Sequence, residues 1–221
     1  MISKKLLVAG AIAALSLANA AHATVIGTWN LASSAVQTTP VATSAPGYTL
    51  SALTAVGLTG SAFDNHFYFS GWGSAVDLNK YFQLSVTGTS GYVLNKMTFS
   101  TESTVNAPAT MYVRSSADNF ASNIDSFSWG NADVTMGDFD FDALGALGGT
   151  TTLRFYVTST AGGQFGFANH ECPGAGCSMA DVGRDITLNG TAVPEPGAFA
   201  LLGIGMIGFA AARRKNKAAA S

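Results

Sequence analysis

The sequence predicts an all-β fold, a jelly-roll-like two-sheet β-sandwich of roughly eight to ten strands. An N-terminal signal helix and a C-terminal transmembrane helix flank it. Three observations lead there. Apolar and polar residues alternate with period two through the middle of the chain, the pattern of half-buried strands. Short Gly- and Ser-rich breaks separate these runs. No segment before residue 190 sustains a 3.6-residue apolar period. The 221 residues divide into 1–23 (signal peptide), 24–192 (β-sandwich domain) and 193–221 (an apolar segment with a basic end).

The first element is an address. Met1-Ile2-Ser3-Lys4-Lys5 is followed by an apolar run from Leu6 to Leu17 and then Ala18-Asn19-Ala20-Ala21-His22-Ala23. A basic start, a short apolar stretch and a small-x-small site make a secretory signal peptide. Ala21 and Ala23 mark the better cleavage site, with Thr24 the first mature residue, and Ala18-Asn19-Ala20 is a second candidate. The apolar run is well short of the ~20 residues that span a bilayer.

The body that follows is acidic. Between 24 and 193 it carries five basic residues (Lys80, Lys96, Arg114, Arg154, Arg184) against twelve acidic ones. That excludes a nucleic-acid partner, which needs basic patches to neutralise phosphates. All three Trp, all six Tyr and twelve of fourteen Phe lie in this stretch, too much apolar surface for a disordered chain.

Within the body, Gln37 to Pro46 reads as a polar loop. The segment Asp64-Asn65-His66 with Phe67-Tyr68-Phe69-Ser70-Gly71-Trp72 is the richest aromatic stretch, with Phe67 and Phe69 on one face and His66 and Tyr68 on the other. Its aromatics, with Trp29 and Trp129, are candidates for stacking on a sugar ring; core packing is the competing reading. Phe82, Leu84 and Val86 share one face of a strand, and Tyr81, Gln83, Ser85 and Thr87 the other. Gly88-Thr89-Ser90-Gly91 then reads as a hairpin turn. Val93, Met97 and Phe99 continue the pattern, as do Met111 and Val113. Ser116 to Ile124 is the one helical candidate, capped by Ser116 or Asp118.

Asp138-Phe139-Asp140-Phe141-Asp142, as a strand, sets three carboxylates on one face, a start for a calcium site. The competing reading is a solvated or edge-protecting face over two buried Phe. An EF-hand is excluded, because Ala143 and Gly149 stand where that loop needs Gly and Glu. Asp142 to Thr151 is a Gly-rich loop. Leu153, Phe155 and Val157 then face away from Arg154, Tyr156 and Thr158.

Cys172-Pro173-Gly174-Ala175-Gly176-Cys177 holds the only two cysteines, and an exported chain would join them as a disulfide. A metal pair with His170 and Glu171 is the rival reading, without the further ligands that zinc needs. Ile186 and Leu188 close the series of strands. Asn189-Gly190-Thr191 fits a glycosylation sequon, and reads here as the turn that leads out of the body. Catalytic motifs are lacking: the mature body has two His, His66 and His170, and neither a nucleophile elbow nor a metalloprotease signature. A two-carboxylate hydrolase would have to draw on residues such as Glu102 and Glu171.

The last element is Val193-Pro194-Glu195-Pro196, an apolar run from Gly197 to Ala212, and then Arg213-Arg214-Lys215-Asn216-Lys217. As a helix the run would reach roughly 24 Å at ~1.5 Å per residue, slightly short of the hydrocarbon core, with Arg and Lys snorkelling at the inner edge. Arg213, Arg214 and Lys215 form a stop-transfer signal that leaves the body outside. Pro194 and Pro196 hold the segment before it extended. Pro-Glu-Pro, a Gly, an apolar helix and a basic tail together resemble the PEP-CTERM sorting signal of Gram-negative bacteria. That resemblance implies an exosortase as partner, recognising Pro194, Glu195 and Pro196. It also implies anchoring in the inner membrane before processing, and delivery to the cell surface or extracellular polymer afterwards. Arg114-Ser115-Ser116-Ala117-Asp118-Asn119-Phe120, Leu153-Arg154-Phe155-Tyr156 and Asp185 to Thr191 are also similar to segments of exported bacterial proteins with such tails, whose bodies look like lectin- or carbohydrate-module-type jelly rolls.

These readings favour a non-catalytic exported surface or matrix protein without a resident cofactor. The alternatives are a carbohydrate-binding module of the exopolysaccharide matrix, with calcium as a candidate cofactor, and a polysaccharide-active hydrolase.

Overall fold

The computed structural model describes residues 23–31, 39–61, 66–130, 134–169, 185–193 and Gly205. Here the period-two runs become strands, fifteen among the described residues. In chain order they are β1 (Thr24–Trp29), β2 (Ala42–Ser44), β3 (Tyr48–Leu50), β4 (Thr54–Val56), β5 (Thr59–Ser61), β6 (His66–Ser70), β7 (Tyr81–Gly88) and β8 (Tyr92–Ser103). They continue as β9 (Ala109–Ser115), β10 (Asp125–Trp129), β11 (Thr135–Asp140), β12 (Ala146–Leu147), β13 (Thr150–Ser159), β14 (Phe165–Ala168) and β15 (Ile186–Ala192). The count exceeds the eight to ten expected because β2, β3, β4, β5 and β12 are only two or three residues long. A segment that short cannot display an alternation.

Two antiparallel sheets result, as the sequence predicts. The nine-stranded sheet runs β2-β1-β15-β8-β14-β6-β5, with β11 and β12 also on β8. The six-stranded sheet runs β10-β9-β13-β7-β3, with β4 also on β7. Their inner faces meet in a ladder of aromatic rings. Phe82 and Phe155 from the six-stranded sheet sit 5.7 Å each, centroid to centroid, from Phe167 of the nine-stranded sheet. Phe99 joins Phe139 at 4.8 Å and Phe167 at 5.5 Å. All five rings are fully buried. Tilted and edge-on contacts of this kind each add about 0.5–1.5 kcal/mol beyond area burial.

Four local expectations need correction. Gly88-Thr89-Ser90-Gly91 does not close a hairpin, because β7 and β8 belong to different sheets and the segment crosses between them. A Cβ at Gly88 would lie 2.5 Å from the Tyr92 ring. That buried tyrosine locks the crossing by donating its hydroxyl hydrogen within reach of Thr151 Oγ1 (2.9 Å) and the Val86 carbonyl (3.1 Å). Val93 does not share a face with Met97 and Phe99. Asn189 pairs with Lys96 and Gly190 with Leu94, so Asn95 is an extra residue that reverses the side-chain phase. Tyr92 and Leu94 therefore point inward, and Val93 does not. The same bulge overturns the reading of Asn189-Gly190 as a turn: both lie inside β15. Gly190 admits the close approach, since a Cβ there would lie 2.9 Å from the Val93 carbonyl. Finally, Ser116 to Ile124 is helical only as a 3-10 turn over Ser116–Asp118, capped by Ser115 rather than by Ser116 or Asp118.

No helix among the described residues is long and apolar enough to cross a membrane. The expected signal helix and the apolar run 197–212 lie outside the described residues, apart from Gly205.

Candidate functional site

The outer face of the six-stranded sheet gathers aromatic and cationic side chains. Alternation along β13 turns Arg154, Tyr156 and Thr158 away from the core, and along β9 it turns Thr110, Tyr112 and Arg114 outward. Antiparallel pairing sets Tyr156 opposite Tyr112 and Arg154 opposite Arg114. On the other side of β13, Arg154 is opposite Gln83 of β7. The guanidinium carbon of Arg154 lies 3.9 Å from the centroid of Phe120 and 4.2 Å from that of Tyr81. Such cation–π contacts are worth ~0.5–1 kcal/mol each when exposed. The Arg154 Nε donates to Gln83 Oε1 at 3.1 Å. Arg114 covers the buried Tyr156 ring at 5.4 Å, and Tyr156 meets Tyr81 edge-on at 5.7 Å.

The loop after β9 delivers Phe120 to this face. Ser115 Oγ accepts from the Ala117 N–H at 3.0 Å, and the Phe120 N–H donates to the Ser115 carbonyl at 2.8 Å. Asp118 accepts from the N–H groups of Ala121 and Ser122 and from the Ser122 hydroxyl. That hydroxyl above all holds the Asp118 carboxyl below its ordinary range. The turn carries Asn119 (φ 59°) and Phe120 (φ 60°) into the left-handed region. Asn tolerates it; for a bulky residue it is strained. Arg114 braces the loop, donating to Asn123 Oδ1 at 2.7 Å and to the Phe120 carbonyl at 3.1 Å.

Charge on this face is unbalanced. The ion pairs among the described residues are His66–Glu102, Lys80–Asp77 and Lys96–Asp138. Neither Arg114 nor Arg154 has a carboxylate within ion-pair distance among the described residues, although they are direct cross-strand neighbours of like charge. Such a pair is unfavourable on its own.

A second cluster lies on the outer side of the nine-stranded sheet. His66 Nε2 is 3.2 Å from Glu102 Oε2, and the His66 and Tyr68 rings are 4.5 Å apart. Tyr68 is buried. Burial first, and the Glu102 carboxylate second, push its phenol far above the ordinary range. Glu171, the other carboxylate considered for hydrolysis, lies outside the described residues, as do His170, Asp64 and Asn65.

The other sequence candidates fare differently. Trp29 is fully buried, donating from Nε1 to the Ser51 carbonyl at 3.0 Å, and Trp129 is buried too. Phe67 and Phe69 face the core, and half-buried Trp72 packs its ring on Phe82 at 5.0 Å. These aromatics are core packing rather than sugar platforms. Asp138, Asp140 and Asp142 are exposed while Phe139 and Phe141 are buried, which is the alternation predicted, but the strand ends at Asp140. Asp138 binds Lys96 at 2.8 Å, and Asp140 accepts from the Asp142 N–H at 2.8 Å. Among the described residues no group of three or more His, Cys, Asp or Glu side chains is placed to hold a metal ion. Cys172 and Cys177 lie outside the described residues, as do Ala21, Pro194, Glu195, Pro196, Arg213, Arg214 and Lys215; Ala23 is exposed just before β1.

The sequence showed Arg154, Tyr156, Tyr81 and Gln83 on outward faces, but not that they meet. Their meeting needs the strand order β9-β13-β7, which joins segments distant in the chain. Phe120 carried no signal beyond the turn-forming Asp118-Asn119 before it.

The tail leaves this body from the middle of the larger sheet. β15 lies between β1 and β8, Ala192 pairs with Tyr92, and the Val193 N–H donates to the Gly91 carbonyl at 2.8 Å. Residues 192–215 match the PEP-CTERM protein-sorting motif. The chain carries a PEP-CTERM sorting signal. The PEP-CTERM signal implies an exported protein, anchored in a membrane and then sorted by an exosortase. It starts where β15 ends, so removal of the tail would leave the sheet whole. No curated protein matches the chain in sequence. Among solved structures, the chain is similar to a family 29 carbohydrate-binding module from Piromyces equi, at 11% identity over 78% of this chain and 92% of that one, with a TM-score of 0.36. It is similar to a structure of CBM4 at 13% identity, over 72% and 84%, with a TM-score of 0.34. A carbohydrate-binding module, CBM36, in complex with calcium and xylotriose matches at 9% identity over 52% and 98%, with a TM-score of 0.32.

Proposed function

We propose that this protein is a non-catalytic component of the cell surface or extracellular matrix, passed on by an exosortase, whose β-sandwich binds polysaccharide. The PEP-CTERM motif at residues 192–215 carries the sorting half of this reading. The binding half is supported by the outer face of the six-stranded sheet. Rings of Tyr81, Tyr112 and Phe120 and the guanidinium groups beside them offer apolar stacking area next to hydrogen-bond donors, and that pairing suits a sugar ring and its hydroxyls. Ser126, Ser128, Thr110 and Thr152 extend the face with hydroxyls.

Replacement of Pro194, Glu195 and Pro196 by Ala tests the sorting half. The expected result is retention of the whole chain in the membrane fraction, while the unaltered protein reaches the surface or medium. Equal release of both would overturn it. For the binding half, Tyr112→Ala should weaken retention on a column of the host's own extracellular polymer, without release of reducing ends from that polymer by the unaltered protein. Steady release would make the protein a hydrolase, with the His66–Glu102 pair the first place to look.

A further inference from the structure

We infer that the outer face of the six-stranded sheet takes an acidic polysaccharide, with Arg114 and Arg154 receiving the carboxylates of a uronate-bearing chain. This rests on the polysaccharide reading above and specifies its ligand class. The charge pattern carries it. The body is acidic, yet these two arginines stand directly opposite each other on β9 and β13. Direct cross-strand partners hold their Cβ atoms only ~4.5–5.5 Å apart. Among the described residues neither has a carboxylate in reach, whereas both described lysines do.

The unused donors point the same way. Arg154 spends Nε on the neutral oxygen of Gln83, and its terminal nitrogens have no hydrogen-bond acceptor among the described residues. Arg114 spends Nε and Nη1 on Asn123 and the Phe120 carbonyl, leaving Nη2 in the same condition. The rings of Phe120 and Tyr81 clamp the Arg154 guanidinium at 3.9 and 4.2 Å, and its Nε bond to Gln83 restrains it before a ligand arrives. A planar, oriented fork favours a planar carboxylate with two parallel bonds. A second cation beside it suits a polymer that repeats its anions. Tyr112, next to Arg114 on the same strand face, adds a ring for the sugar plane.

The test uses the full chain in mild detergent with oligomers of galacturonate and of alginate, and with the same oligomers after chemical reduction of their carboxyl groups. Titration calorimetry should show at least one of the acidic oligomers binding about tenfold or more tighter than its reduced form, the scale of a charge-assisted hydrogen-bond pair. Gln83→Glu is the decisive variant. It places a carboxylate within reach of Arg154 with almost no change of shape, so it should keep the melting temperature and remove most of the preference. Arg154→Lys should keep the fold and lose the bidentate share. If the reduced oligomers bind as well as the acidic ones, or the preference survives Gln83→Glu and Arg154→Lys, the acidic ligand is wrong and the polysaccharide reading still stands. If the folded chain binds neither form, the polysaccharide reading fails and takes this inference with it.

Discussion

Phe120 offers a test in which the sign of an effect matters more than its size. At an ordinary strand position, Gly is less stable than Ala by about 0.5–1 kcal/mol, because its unfolded chain is freer. Phe120 sits at φ 60°. There a Cβ crowds the following carbonyl at roughly 1–2 kcal/mol per residue. Taking the middle of each range, subtracting the entropy term leaves Phe120→Gly more stable than Phe120→Ala by about 0.75 kcal/mol. Both variants lose the contact with Arg154 equally, so the comparison isolates the backbone. The control is Thr158, half-buried near the end of β13 and still paired with Thr110, where Thr158→Gly should fall below Thr158→Ala. Urea unfolding at equal m-value reads the difference as a shift in midpoint. If Gly falls below Ala at residue 120 as it does at 158, the loop does not hold Phe120 in a left-handed conformation, and the clamp on Arg154 is not built as described.

Other perturbations follow from the same geometry. Phe167→Ala removes the ring shared by Phe82, Phe99 and Phe155 and should cost about 3–5 kcal/mol, read by thermal unfolding. Stability should fall as pH rises above 10. The unfolded phenols ionise near ~10, whereas burial keeps Tyr68, Tyr92 and Tyr48 protonated in the fold, so the unfolded state then binds fewer protons. Tyr68, the most deeply held, contributes up to about 1.4 kcal/mol per pH unit in that range. Tyr68→Phe should remove that share of the slope. Millimolar calcium should leave the calorimetric melting temperature unchanged, since Asp138 is engaged with Lys96; a rise that Asp140→Asn abolishes would contradict this.

The sandwich was legible because its signal is local. Phe82, Leu84 and Val86 on one side, and Leu153, Phe155 and Val157 on another strand, show their burial by alternation alone. What failed was whatever a distant partner decides. Gly88 to Gly91 looks like any hairpin until β8 is seen to pair with β15 and β14 rather than β7. In the sequence Trp29 and Trp129 stand between sugar stacking and core packing, because composition does not say which side of a strand the other sheet will cover. Asn95 breaks the phase of β8 only because β15 lacks a residue opposite it. The functional face shares this origin: Arg114 and Arg154 are forty residues apart in the chain and adjacent only through the β9–β13 ladder. The sorting motif was legible because such a signal must be read as a linear string.

The central claim is that this chain is exported as a folded β-sandwich and parted from its tail. Intact mass of the protein from its native host, with membrane, surface and medium fractions kept apart, tests it most directly. The expected result is a species beginning at Thr24 and ending near Pro194 to Pro196, outside the membrane fraction, with any added mass on its new C-terminus. A species that retains Arg213 to Ser221 in every fraction would contradict it, and would leave a tethered β-domain.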